Sequence, residues 1–209
     1  MTSIAIKSQH ILQAEGSEID GTLIITDGKI EAITTTTPKN NVETIDAKNL
    51  YVSPGLIDAH THLGMYEEAS AWAGEDGNEM VDPITPHVRA IDSINPEDKA
   101  FREARQAGVT SVMITPGSGN VMGDQICVVK NVGKTLEEML VSPHVGIKMA
   151  MGENPKRVYG KQGKAPMTRR GVAAMLRDTF TKARHYLELM CCWIYECCWC
   201  CCFYDLYFF

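Results

Sequence analysis

Pro54-Gly55-Leu56-Ile57-Asp58-Ala59-His60-Thr61-His62-Leu63-Gly64 is the stretch on which the reading of this 209-residue sequence turns. Pro54-Gly55 punctuates the chain, an apolar strand follows, and Gly64 closes it. Alternate side chains of a strand share one face, so Asp58, His60 and His62 point together. Two imidazoles converging from the end of one strand can hold one divalent metal through their ring nitrogens. His-x-His alone is a weak signal, because two histidines on a strand face are often only exposed. The flanking Pro54-Gly55 and Gly64 sharpen it. Asp58 fits a hydrogen-bonding partner behind the ligands better than a ligand.

Upstream, residues 1–53 read as a small β-module, part of a β-sandwich or sheet. Residues 4–6, 21–25 and 29–33 are β-rich runs, and Asp27-Gly28 between the last two is a strong hairpin turn signal. Residues 34–41 are polar, contain Pro38 and read as a loop. Residues 42–51 suggest a further strand pair around Asp46-Ala47-Lys48-Asn49.

Downstream, residues 64–95 are irregular, rich in Gly, Pro and acidic residues, with a short helix near 66–72. Asn95-Pro96-Glu97 predicts a helix start and Gly108 its stop, giving a helix over 96–107. Residues 109–115 are a β-branched apolar run, hence a buried strand, and residues 116–120 a loop at its C-terminal end. Residues 145–151 predict another strand. Val172, Met175, Leu176 and Phe180 recur at helical spacing within a helix over 167–185. Strand, helix, strand, loop, strand, helix predicts parallel βα units in an α/β fold.

The composition is that of a globular protein, and a formal charge of −6 gives no reason to expect nucleic-acid or anionic-membrane binding. Residues 1–20 lack a continuous apolar core of the signal-peptide type, so the expected location is cytoplasmic. Of eight cysteines only Cys127 lies in the first 190 residues, which suits a chain without a disulfide framework.

The 54–64 stretch, following a small β-module, resembles the signature of the amidohydrolase superfamily, and more narrowly the imidazolonepropionase-like metal-dependent hydrolases. Ala107-Gly108-Val109-Thr110-Ser111-Val112 resembles that family's second barrel strand, and Pro116-Gly117-Ser118-Gly119-Asn120-Val121-Met122-Gly123 its glycine-rich loop. Gly152-Glu153-Asn154-Pro155-Lys156-Arg157-Val158-Tyr159-Gly160 resembles a segment near the metal site. The resemblance covers residues 1 to about 187. It departs at Gly123-Asp124-Gln125, where the family pattern has Gly-Gly-Gln, which puts the loop geometry at Asp124 in question.

The resemblance implies a (β/α)8 TIM-type barrel, here partial, with its site at the C-terminal mouth. It also implies a divalent metal, zinc foremost, and metal-assisted hydrolysis of a C–N bond in a small-molecule amide. Its acidic bridging ligand is a carbamylated lysine in some branches and a glutamate in others, and this chain offers Lys148 and Glu153. Glu153 is preferred, as a residue at the C-terminal end of its strand, with Lys148 as the alternative. Arg157 and Tyr159 are candidates for substrate contact. His87 is a weaker ligand candidate. His144, read as preceding its strand, His185 on a helix and His10 in the β-module do not complete the site.

Residues 54–188 are about half of the ~250 that such a barrel takes, so an incomplete, hydrolytically inactive and poorly stable fragment is expected. A non-catalytic degenerate relative with a binding role, or a gene-model product, is the alternative. Residues 189–209, mostly Cys, Trp, Tyr and Phe, form a separate tail. It reads as a frameshift or truncation product ahead of a membrane segment, which Glu196 and Asp205 interrupt, or a metal cluster, for which the C-x-x-C spacing of structural zinc sites is lacking.

Overall fold

Asp27 and Gly28 both adopt positive φ, 49° and 77°. That is the backbone a two-residue primed turn needs, and Thr26 pairs directly with Lys29 across it. The hairpin so formed belongs to a four-stranded sheet in the computed structural model, which describes residues 2–35 and 42–194. Its strands are β1 (Ser3–Leu12), β2 (Glu18–Thr26), β3 (Lys29–Thr34) and β4 (Glu43–Val52), in the order β3-β2-β1-β4. β4 runs parallel to β1 along its whole length. The expected strand pair around residues 46–49 is therefore one strand with a bulge, and Lys48 there takes a φ of 27°. The chain divides into two compact units after Leu56.

The second unit is built on a sheet with the order β5-β6-β7-β8. β5 is Leu56–Thr61, β6 is Val109–Ile114, β7 is Met122–Lys130 and β8 is Leu140–Met149. Between β5 and β6 lie two short 3-10 helices, Glu68–Gly74 and Ala90–Ser93, and α1 (Lys99–Gln106). Asp98 caps α1 by accepting the Ala100 N–H at 2.9 Å, so the helix begins three residues after Pro96. Gly108, φ 90°, follows its end. Val112 pairs with Val129 and Ile114 with Cys127 across β6 and β7. Pleat alternation thus turns all four into one core with Met65, Ala90, Ile94, Phe101 and Met139.

The α/β class and the open, barrel-like sheet agree with the sequence, but the expected run of parallel units does not hold. β7 is antiparallel to both β6 and β8. The reason is connection length: a parallel crossover needs a dozen or more residues, and the β6–β7 link at 115–121 is shorter. Gly123 and Asp124 consequently lie in β7 and not in a glycine-rich loop. β8 also starts earlier than expected, so exposed His144 lies within it.

After a single helical turn, α2 (Leu136–Met139), and β8, the chain continues as α3 (Glu153–Lys161) and α4 (Arg169–Ile194). On α4, Val172 is buried while Phe180 is exposed. Among the described residues no helix is long and apolar enough to cross a membrane. The Cys-rich stretch beyond Ile194, with its frameshift, membrane and metal-cluster readings, lies outside the described residues.

Candidate metal centre

β5 carries His60 within it and His62 just past its end. The two rings meet edge to face with centroids 5.6 Å apart, as expected of side chains two residues apart on one strand face. His62 is fixed by its neighbour strand. Its Nδ1 lies 2.6 Å from the carbonyl oxygen of Thr115, just beyond β6. A carbonyl only accepts, so Nδ1 carries the hydrogen and the Nε2 lone pair of the neutral ring is left for a ligand. Backbone contacts hold the two strand ends in register, with the Thr115 N–H donating to Thr61 O at 2.9 Å. Asp58 accepts the backbone N–H of His60 at 3.0 Å, so it acts on the His60 main chain and not on its ring.

Lys148, near the C-terminal end of β8, brings its Nζ to 3.3 Å from His60 Nε2. Burial lowers the pKa of this half-buried lysine, which favours the neutral amine. Glu153, preferred from the sequence, is instead the first residue of α3 and is exposed. The strand assumed to carry it stops at Met149, and the chain turns at Gly152 into a helix. Lys148 thus stands beside His60, while Glu153 opens the helix that follows.

The donor set fits the nitrogen half of a divalent-metal site: two imidazoles, one with its tautomer locked by a carbonyl. Among the described residues no group of three or more His, Cys, Asp and Glu side chains could hold a metal ion, so a third ligand has to come from chemistry at Lys148 or from elsewhere.

Tyr159, Arg157 and His87 interact with other groups. Tyr159 is fully buried, and its hydroxyl donates to the Asp82 carbonyl at 2.8 Å. With Gln162 on Met80 O and Lys164 on Val81 O, it clamps residues 80–82. Burial pushes its phenol up to about 12. Arg157 lies on the surface and donates to Asn154 at 3.2 Å. His87 is exposed and near enough to Asp124 to bias that carboxyl electrostatically. Asp124 itself is buried and accepts from Thr85 Oγ1 at 3.2 Å, and burial raises its pKa.

Two residues escaped the sequence reading. Thr115 was only the end of a strand there, yet adjacency of successive strand ends would have pointed to its carbonyl. Tyr66, four residues past His62, packs edge to face on it with centroids 5.9 Å apart. Burial raises its phenol pKa.

A solved amidohydrolase from Thermotoga maritima MSB8 matches 90% of this chain at 41% identity and a TM-score of 0.85. The chain belongs to the amidohydrolase superfamily. The chain is also 35% identical over 149 residues to the amidohydrolase tasK of Hapsidospora irregularis, across 66% of its own length and 15% of that protein's. It is 30% identical over 135 residues to a dihydroorotase of Ruminiclostridium cellulolyticum, 63% of this chain and 26% of that one. The chain spans about half the length of the solved relative, 49%, and less of the two curated ones. No family model matches it.

Proposed function

We propose that this chain supplies His60, His62 and Lys148 to the metal centre of a C–N bond hydrolase acting on small-molecule amides. The observation that carries the reading is the approach of Lys148 Nζ to 3.3 Å from His60 Nε2, next to a His62 whose free nitrogen is set by Thr115. A divalent metal held there, zinc by its preference for imidazole, would lower the pKa of a bound water and polarise a carbonyl.

The chain's own residues do the rest. His62 presents Nε2 because Thr115 holds Nδ1–H. His60 presents Nε2 from a main chain fixed by Asp58. The Lys148 amine, deprotonated more readily through burial, adds to carbon dioxide with loss of one proton. The product is an anionic carbamate whose oxygens provide the acidic ligand that the neighbouring side chains lack.

The narrower imidazolonepropionase-like reading rests on the β-module leading straight into β5. The relatives matched over most of the chain carry other names, so the substrate stays at the level of a small amide. Glu153 as the bridging ligand is the second reading, and it requires the start of α3 to move toward β5.

Native mass spectrometry in bicarbonate buffer tests this directly. The zinc-loaded chain is expected to gain the mass of one carbon dioxide, and Lys148→Met to lose both that adduct and zinc affinity. Zinc affinity unchanged in Lys148→Met but lost in Glu153→Gln would replace the proposal with the second reading.

A further inference from the structure

Gly64 reverses the chain after β5, with φ 78°, and the Met65 N–H donates to His62 O at 3.1 Å. The turn brings Tyr66 back over His62, where its ring packs edge-on. The segment that follows is shaped around this ring. A Cβ at Gly77 would stand 2.0 Å from the Tyr66 hydroxyl, so only glycine leaves the ring its place. Asn78 then donates from Nδ2 to Tyr66 Oη at 3.1 Å. Its orientation is set independently, because the Gly119 N–H donates to Asn78 Oδ1 at 2.8 Å and only the amide NH2 remains for the phenol. A Cβ at Gly117 would stand 2.3 Å from Asn78 Nδ2, so the loop after β6 is also cut to fit this amide.

The consequence is a directed donor. Tyr66 Oη accepts from Asn78, so its own hydrogen is free, with no acceptor among the described residues. The side chain is 41% exposed, and its ring lies against a proposed metal ligand. We propose that Tyr66 is a ligand-positioning residue that donates a hydrogen bond to a carbonyl or carboxylate oxygen of the molecule bound at His60 and His62, with Asn78 and the Gly119 N–H aiming it. This rests on the reading of those histidines as metal ligands.

Zinc affinity and affinity for acetohydroxamate, a small zinc-binding amide analogue, are measured on the same chain, with His62→Ala as the control that should take up no acetohydroxamate. Tyr66→Phe keeps the ring on His62 and deletes only the donor. It is expected to hold zinc within twofold of wild type and to bind acetohydroxamate about tenfold more weakly, and Asn78→Ala to weaken it less. Acetohydroxamate affinity within twofold of wild type in Tyr66→Phe overturns the proposal. So does a loss of zinc affinity in Tyr66→Phe, which would make the hydroxyl a support for His62 alone. Failure of wild type to bind zinc in a His62-dependent way overturns the metal reading itself, and the zinc titration reveals it before any acetohydroxamate is added.

Discussion

Gly64→Ala is the substitution whose cost can be worked most fully from the structure. Gly64 has a φ of 78°, and an added Cβ would stand 2.9 Å from Ile94 Cγ2, 3.0 Å from Phe101 Cε2 and 3.1 Å from Phe101 Cζ. Left-handed backbone costs an L residue about 1–2 kcal/mol. Neither neighbour can give easily, since Ile94 and Phe101 are 8% and 3% exposed and belong to the core under β6 and β7. Overpacking of such a core costs about 1–3 kcal/mol more. The expected loss is therefore about 2–5 kcal/mol. Gly108→Ala is the matched control: its φ is 90°, and an added Cβ meets nothing within 4 Å, so only the backbone cost of about 1–2 kcal/mol applies. Urea unfolding of both variants measures the difference. Equal losses would refute the claim that the turn after His62 is packed against Ile94 and Phe101.

Other perturbations probe other parts of the structure. The buried Cys127 thiol is pushed up by desolvation to about 11 from an ordinary 9.0. The folded state therefore holds a proton that the unfolded chain has lost, and stability falls as pH rises from 9 toward 11, by up to about 3 kcal/mol. Urea midpoints at pH 8 and 10.5 should show this fall, and Cys127→Ala should flatten it; a slope unchanged in the variant would contradict the burial argument. Tyr159→Phe deletes the hydroxyl on Asp82 O and should cost about 0.5–1.5 kcal/mol. Faster amide exchange around residues 80–85 would mark its clamping role; protection unchanged there would refute it.

Much of the site was legible because its signals are local. His60 and His62 share a strand face by period two, and Pro54-Gly55 and Gly64 mark where that strand begins and ends. The Asp27-Gly28 hairpin and the Gly108 helix stop were legible for the same reason: each is set by the conformational demand of one or two residues. Lys148 and Glu153 illustrate what was not. Choosing between them needed the end of β8, and a strand's end depends on its pairing with β7, a strand that itself went unread between a glycine-rich loop and a polar segment. Tyr159 shows the same limit, since an aromatic in a polar stretch gave no sign that residues 80–82 would fold over its hydroxyl.

Zinc X-ray absorption of the zinc-loaded chain shows whether His60 and His62, at the end of β5, hold the metal. A nitrogen and oxygen shell at about 2.0–2.1 Å with two imidazole rings is expected, reduced in His60→Ala and in His62→Ala. The seven cysteines between Cys191 and Cys202 offer the opposing outcome. A sulfur shell at about 2.3 Å, unchanged by either substitution, would place the metal on the cysteines and not on the histidines.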